Sequence, residues 1–141
     1  MRFWDSSAIV PLALTEPRSP DVRRWLREDA EVVVWTLTRV ELLSALARRR
    51  RYEPEARERL VEARRELMAA WERWTEVTAA DVVRRHAERL VESHPLRAAD
   101  ALQIGAALVA AGTEPGALTF VTLDGGQAGA AEREGLRVLG P

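Results

Sequence analysis

The chain has 141 residues, a common size for one domain, and its composition of 47% hydrophobic and 30% charged residues excludes a disordered protein. The absence of cysteine excludes disulfides, thiol chemistry and cysteine-based zinc sites. A formal net charge of −1 excludes a general attraction to nucleic acid, so any such binding needs a local positive patch or a metal ion.

All 21 basic residues are arginine, while lysine and asparagine are absent. Codon usage in a GC-rich genome explains this choice, and adaptation to heat is the alternative explanation. The sequence has no uncharged apolar stretch of about 18 residues, so no membrane span is expected. The N-terminus lacks the layout of a signal peptide, and we therefore expect a cytoplasmic protein.

Five short segments rich in β-branched, aromatic and leucine residues are predicted to be strands. They are Arg2–Trp4, Glu31–Trp35, Glu76–Thr78, Thr119–Leu123 and Leu136–Leu139. The segments lack the alternation of apolar and polar residues that a half-exposed strand shows. Strands of this kind are typical of a parallel sheet that is covered on both faces.

Helical patterns lie between the strands. One helix is predicted to begin at Ser19, which would act as the N-cap before Pro20 and Asp21. The other predicted helices are Glu55–Trp74, Asp81–Val91 and Ala98–Ala111, the last ended by Gly112. This alternation of strands and helices predicts an α/β fold with a mostly parallel central sheet and helices on both faces.

Four acidic residues stand at the edges of apolar segments: Asp5, Glu41, Asp100 and Asp124. Asp5 directly follows the first predicted strand, and Asp124 closes or follows the fourth. Ligands of parallel sheets bind beyond the carboxyl ends of the strands, so these two acids are expected at the ligand edge. If the fold unites all four, their charges need cations to compensate them.

Each acid also has a local interpretation. Asp5 can cap the helix that follows it, and Asp100 can complement a helix dipole. Thr38 and Glu41 have the spacing of a capping box, and Asp124 with Gly125 forms an ordinary turn dipeptide. Capping and metal binding are compatible for every acid except Glu41, whose carboxylate cannot serve both purposes well.

The surroundings favour a metal site. Asp100 lies in the apolar stretch Ala98–Leu102, and Asp5 lies between Trp4 and the apolar run Ala8–Val10. Desolvation and like-charge repulsion raise the pKa of such carboxylates, and a divalent cation offsets both. Oxygen ligands suit Mg²⁺ or Mn²⁺. Asp5 and Asp100 are predicted to be direct ligands, with Glu41 and Asp124 acting through water or on a second ion.

Four motifs carry a resemblance to a known family. They are the opening strand with Asp5-Ser6-Ser7-Ala8, a helix opened by Thr38 and Glu41, the segment Leu96–Leu102, and Val121–Asp124. In this order they resemble a PIN-domain ribonuclease, and more narrowly the toxin of a VapBC-type toxin–antitoxin pair. The resemblance extends over nearly the whole chain, so residues 1–141 are expected to form a single PIN domain.

The resemblance implies a three-layer α/β/α sandwich and a Mg²⁺-dependent endoribonuclease in which Mn²⁺ can substitute. It carries the family's acids onto Asp5, Glu41, Asp100 and Asp124, and its small hydroxyl residue onto Ser7, together with Ser6. The implied partners are an RNA substrate, a cognate antitoxin whose tail blocks the acidic site, and a second copy in a homodimer. Gln103 departs from the family pattern, where many members carry histidine, which bears on substrate preference.

Other features have two interpretations each. The run Arg48–Arg51 is either a solvated helix end or a patch that tracks RNA phosphates. Trp25 is either a core residue or an anchor for a partner, and His86 and His94 are interpreted as surface residues of a helix. The alternatives to a toxin are an RNA-processing nuclease without antitoxin and an inactive PIN fold that binds proteins.

Overall fold

One parallel sheet organises the computed structural model, which describes residues 1–141. Its strands are β1 Arg2–Trp4, β2 Val32–Trp35, β3 Thr75–Val77, β4 Thr119–Val121 and β5 Arg137–Leu139. Their order across the sheet is β3-β2-β1-β4-β5, and every neighbouring pair is parallel. The chain therefore changes its direction of strand addition beside β1, which makes the β1–β4 edge the switch point where ligands bind.

Seven α-helices surround the sheet. They are α1 Ser6–Ala13, α2 Ser19–Glu28, α3 Thr38–Tyr52, α4 Arg57–Trp71, α5 Ala80–Ser93, α6 Ala98–Ala111 and α7 Gly125–Arg133. Two short 3-10 turns lie at Pro54–Ala56 and Pro115–Ala117. No helix combines the length and the apolar character that a bilayer crossing requires.

Two hydrophobic clusters fill the space on the two faces of the sheet. Successive strand residues point to opposite faces, so Phe3 and Phe120 join one cluster while Trp4 and Val121 join the other. The first cluster packs against α5, α6 and α7, and the second against α1 to α4. Both faces are therefore covered, and the expected three-layer α/β/α sandwich is confirmed.

Element boundaries differ from the predictions by a few residues, except for β1 and α6, which span the predicted ranges. Gly112 ends this helix with a φ of 63°, a conformation that favours glycine. The predicted helix Glu55–Trp74 was too long, because its first residues form the 3-10 turn and the helix ends at Trp71.

The prediction that Ser19 is an N-cap was wrong. Arg18 occupies the cap position, and Ser19 is the first residue of α2. The buried Ser19 hydroxyl lies 2.7 Å from the carbonyl oxygen of Pro11 and 2.8 Å from that of Leu14, and it accepts a 2.8 Å hydrogen bond from the Glu16 N–H. Ser19 therefore closes the connection between α1 and α2 instead of capping a helix.

Candidate active site

The four acids each stand at the beginning of a helix. Asp5 and Asp124 are the N-cap residues of α1 and α7, and Glu41 and Asp100 lie in the first turns of α3 and α6. Asp5 directly follows β1, and Asp124 follows the neighbouring strand β4. The positive ends of the helix dipoles favour carboxylates at these positions. The predicted placement of Asp5 and Asp124 at the ligand edge of the sheet therefore agrees with the structure.

A pocket of about 520 Å³ opens between these helices. Its lining consists of Ser6, Ser7, Val10, Val40, Glu41, Ser44, Ala45, Arg48, Asp100, Asp124 and Gln127. Three of the acids are thus part of the wall, and Arg48 is the basic residue among the lining side chains. Asp5 is fully buried and does not belong to the lining.

The two oxygens of the Asp5 carboxylate have different surroundings. Oδ2 accepts hydrogen bonds from the Ser7 hydroxyl, from the Ser7 N–H at 3.3 Å and from the Thr122 hydroxyl at 2.9 Å. Oδ1 has a 3.3 Å contact with the Ser6 hydroxyl. Oδ1 therefore has fewer and weaker contacts than Oδ2.

Two hydroxyls join the ends of β1 and β4. The Ser7 hydroxyl donates to Asp5 and accepts a 2.9 Å hydrogen bond from the Leu123 N–H. The Thr122 hydroxyl likewise donates to Asp5 and accepts from the Asp124 N–H at 3.0 Å. These contacts fit the supporting role predicted for Ser7. Thr122 was not among the predicted site residues. Its position two residues before Asp124, at the end of a strand, was a signal for such a role.

Glu41 is held by side chains from two other helices. Its Oε2 accepts a 2.8 Å hydrogen bond from the Ser6 hydroxyl, and its Oε1 accepts one of 3.1 Å from Gln103 Nε2. The alternative of a capping box is wrong, because Leu37 occupies the cap position and the Thr38 hydroxyl bonds to Gln103. Glu41 therefore faces the other acids and leaves the helix backbone uncapped.

Asp100 is held from α7. Its Oδ1 accepts a 3.1 Å hydrogen bond from Gln127 Nε2, while the Gln127 N–H donates to Asp124 Oδ1 at 2.8 Å. One glutamine thus contacts two of the acids. Gln127 was not predicted as a site residue, because no residue near it in the sequence indicates a contact with Asp100.

The acids influence each other electrostatically. Burial raises the pKa of Glu41 above its ordinary value, and the charges of Asp5 and Asp100 raise it further. Burial also raises the pKa of Asp100, followed by the charges of Asp124 and Asp5. The structure therefore brings the four predicted residues into one electrostatic environment in which like charges oppose ionisation.

The donor set fits a hard divalent cation. Carboxylates and hydroxyls supply oxygen, and histidine is absent from the pocket lining. No three acidic or histidine side chains come close enough together to form a complete cation cage. Mg²⁺ does not require such a cage, because it is usually held by one or two carboxylates and keeps several waters.

The four arginines of the run Arg48–Arg51 have different environments. Arg48 lines the pocket. Arg49 lies 2.7 Å from a Glu53 oxygen and 3.1 Å from a Glu16 oxygen, which ties it to a structural ion pair. Arg50 and Arg51 are exposed and do not line this pocket. Arg48 is therefore the member of the run that contributes to the site.

Single residues outside the pocket have mixed outcomes. The interpretation of Trp25 as a core residue is confirmed and the alternative of a partner anchor is wrong, because Trp25 is 5% exposed and belongs to the hydrophobic core. His94 directly follows the last residue of α5. Its side chain is 8% exposed, and its Nε2 lies 2.7 Å from Glu134 Oε1. His94 is therefore not a surface residue of a helix, and neither His94 nor His86 lines the pocket.

The family model of the PIN domain matches residues 2–132. The chain belongs to the PIN domain family. PIN domains are generally nucleases, and those nucleases generally use divalent metal ions. A search of curated proteins finds no significant match to this PIN domain.

Solved structures share the fold of this PIN domain. FitAcB from Neisseria gonorrhoeae has a TM-score of 0.64 at 21% identity, over 100% of this chain and 98% of that one. PAE2754 from Pyrobaculum aerophilum has a TM-score of 0.64 at 19% identity, over 97% of this chain and 87% of that one. FitAB bound to an IR36 DNA fragment has a TM-score of 0.60 at 19% identity, over 100% and 95%. At these identities the likeness concerns the fold alone.

Proposed function

We propose that this PIN domain is a Mg²⁺-dependent endoribonuclease, with Mn²⁺ able to substitute, and that it is the toxin of a type II toxin–antitoxin pair. The observation that carries the nuclease proposal is the presence of Glu41, Asp100 and Asp124 in the wall of one pocket at the switch point of the sheet, with Asp5 buried behind them and its charge acting on Glu41 and Asp100. Burial and mutual repulsion make this group unfavourable without a cation.

We assign direct contact with the cation to Asp5 Oδ1, where the cation would displace the Ser6 hydroxyl that lies 3.3 Å away, and to Asp100, whose Oδ1 accepts from Gln127. Glu41 and Asp124 would act through water or on a second ion. A divalent cation held there would lower the pKa of a coordinated water and offset the charge of the scissile phosphate. Attack of this water on phosphorus, with departure and protonation of the 3′ oxygen, would leave a 5′-phosphate and a 3′-hydroxyl. Ser7 and Thr122 keep Asp5 in position by their hydrogen bonds to Oδ2.

The substrate assignment draws on Arg48. A chain with a formal net charge of −1 needs a local cationic group beside its acids to hold a polyanion. Arg48 lies on the same face of α3 as Glu41, seven residues along, and lines the same pocket. We therefore assign it to a phosphate adjacent to the cleaved bond.

The antitoxin proposal is supported by apolar surface beside the acids. Val40 lines the pocket and is 63% exposed, and Leu37, one turn earlier on the chain, is 48% exposed. A peptide with a basic side chain flanked by apolar ones suits such a surface, because the basic group pairs with the acids. The homodimer and the cytoplasmic location are part of the same proposal.

The nuclease proposal is tested with purified protein and an unstructured RNA carrying labels at both ends. We expect cleavage in Mg²⁺, its loss in excess EDTA, and its return when Mn²⁺ is added. Asp100→Asn is expected to remove cleavage, whereas Glu132→Gln, which changes an exposed acid of α7, serves as the matched control. Full activity of the Asp100→Asn protein, or cleavage that persists in EDTA, contradicts the proposal.

The toxin proposal has a separate test in cells. Induced expression of the wild-type chain is expected to stop growth, and expression of the Asp100→Asn chain is not. Co-expression of the small protein encoded next to it is expected to restore growth. Normal growth with a chain that cleaves RNA in vitro rejects the toxin role and leaves the nuclease role standing.

A further inference from the structure

The chain contains two carboxamide side chains, and both lie at the candidate site. Gln103 and Gln127 are its only glutamines, and asparagine is absent. They are 1% and 4% exposed, respectively. Each donates a 3.1 Å hydrogen bond from Nε2 to an acid, Gln103 to Glu41 and Gln127 to Asp100. Because the chain has only these two carboxamide side chains, their presence together at the acids indicates a chemical role there.

Gln103 is held between Thr38 and Glu41. Its Nε2 donates to the Thr38 hydroxyl at 2.8 Å, and the same hydroxyl donates to Gln103 Oε1 at 3.2 Å, so Thr38 accepts either orientation of the amide. The Glu41 carboxylate can only accept, so it sets the orientation by facing Nε2. Thr38 is fully buried. With one N–H on Thr38, the other is directed to Glu41 Oε1. The amide therefore positions an acid of α3 from α6, the helix that also carries Asp100.

Asp100 sets the orientation of the Gln127 amide, and in this orientation the Gln127 Oε1 has no hydrogen-bond donor. Its Oε1 is buried and has no hydrogen-bond partner. Buried polar atoms are nearly always paired, so an unpaired one needs an explanation. A reversed amide would place Oε1 against the Asp100 carboxylate, where two acceptors repel each other. The donor to Asp100 is thus kept although the oxygen remains unsatisfied.

Both donors are neutral, which matters at a site that attracts a cation. None of the salt bridges of the structure includes Asp5, Glu41, Asp100 or Asp124, although the chain has 21 arginines. An arginine bonded to these acids would hold them equally well, but its charge would compete with a metal ion. An amide orients a carboxylate and leaves its charge available.

We propose that Gln103 and Gln127 are positioning residues that hold Glu41 and Asp100 ready for a divalent cation. The inference rests on the proposed metal-dependent function. It differs from the effect on substrate preference that the resemblance implied for Gln103, because the Gln103 side chain is buried and does not line the pocket. Partners of this kind typically change metal affinity by about 10- to 100-fold.

The test uses Gln103→Met and Gln127→Met in the full chain, with Mn²⁺ binding measured by calorimetry. Methionine keeps the approximate volume but removes the donor. We expect each variant to bind Mn²⁺ about 10- to 100-fold more weakly than the wild type. Leucine replaces methionine for any variant whose circular dichroism shows a loss of fold, since it removes the same donor with a different shape.

Ser19→Ala is the matched control, because Ser19 is equally buried and hydrogen-bonded but contacts none of the acids. It is expected to lower the Tm and leave Mn²⁺ affinity unchanged. Glutamine variants that lower the Tm but bind Mn²⁺ as tightly as the wild type overturn the positioning role. A wild-type chain that binds no Mn²⁺ at millimolar concentration overturns the proposed function itself, and the inference with it.

Discussion

Single side chains decide how the acids at this site are tolerated. Asp5 is completely buried, yet its Oδ2 receives hydrogen bonds from Ser7 and Thr122. Glu41 and Asp100 receive fewer bonds, and burial raises the pKa of both. Neutral donors reduce the cost of burying a charge but do not remove it. The remaining cost is what a divalent cation would offset.

Asp100→Asn tests this balance in the protein without metal. The substitution keeps the shape of the side chain and removes a charge that Asp124 and Asp5 oppose. We expect the Tm in EDTA to rise by about 2–4 °C, equivalent to roughly 1 kcal/mol for a domain of this size. Calorimetry measures the change, with Glu132→Gln expected to show none. A lower Tm for Asp100→Asn would mean that its charge stabilises the fold.

The pH dependence of that difference has a definite sign. The folded-state pKa of Asp100 is raised above the ordinary value of 3.8, so the folded protein binds this proton more tightly than the unfolded chain does. Ionisation therefore destabilises the fold as the pH rises from about 3.8 through the raised pKa. In EDTA, the stability advantage of Asp100→Asn should grow over this window and then level off. An advantage that shrinks with rising pH contradicts the assignment.

At the scale of helices and strands, packing between elements determines the hydrogen bonds of these side chains more often than the local sequence motif does. The range of α6 followed from its apolar composition and from Gly112, because both act within the helix itself. The caps predicted at Ser19 and Thr38 failed, since each hydroxyl found a tertiary partner instead. A local motif indicates what a side chain can do, and the packing of neighbouring elements decides among those possibilities.

The junction of α1 and α2 offers a test of stability that is independent of the site. Ser19→Ala removes the one hydroxyl proton that lies between the buried carbonyl groups of Pro11 and Leu14, and the oxygen that accepts from the Glu16 N–H. We expect a loss of about 1–3 kcal/mol in the free energy of unfolding, measured by urea denaturation. Ser93→Ala removes an exposed hydroxyl that bonds to the Arg89 carbonyl and should change little. Equal effects of the two substitutions would refute the role given to Ser19.

The pocket-facing side of α3 carries the prediction for RNA binding. In the chain with Asp100 intact, with Mg²⁺ present and with an RNA analogue whose linkages resist hydrolysis, Arg48→Ala is expected to weaken binding and to reduce the slope of log K against log salt by about 0.7. Arg51→Ala, on the same helix but outside the pocket, should leave the slope unchanged. Fluorescence anisotropy over a salt series measures both. An equal reduction by Arg51→Ala would instead favour the whole arginine run as a phosphate patch.

At the scale of the whole molecule, the site exists only because the sheet changes direction beside β1. Strand order β3-β2-β1-β4-β5 brings Asp5 next to the end of β4, although 117 positions separate it from its partner Thr122. The four acids could be predicted from sequence because each stands at the edge of an element. The contacts of Thr122 and the two glutamines were not predicted, since they join distant elements, although the position of Thr122 two residues before an acid at a strand end was a signal.

The charge of the molecule also places limits on its chemistry. With a formal net charge of −1, the chain does not attract RNA as a whole, and the acidic pocket repels phosphate until a cation is present. RNA binding and metal binding should therefore be coupled. Both RNA binding and cleavage therefore depend on where the cation binds.

Anomalous scattering from a crystal of the wild-type chain soaked in Mn²⁺ locates that cation directly. The account predicts a peak within about 2.5 Å of Asp5 Oδ1 and of an Asp100 carboxylate oxygen. The matching Asp100→Asn crystal should show no peak there. A wild-type pocket without a peak, or a Mn²⁺ ion bound only to acids elsewhere on the surface, contradicts the account.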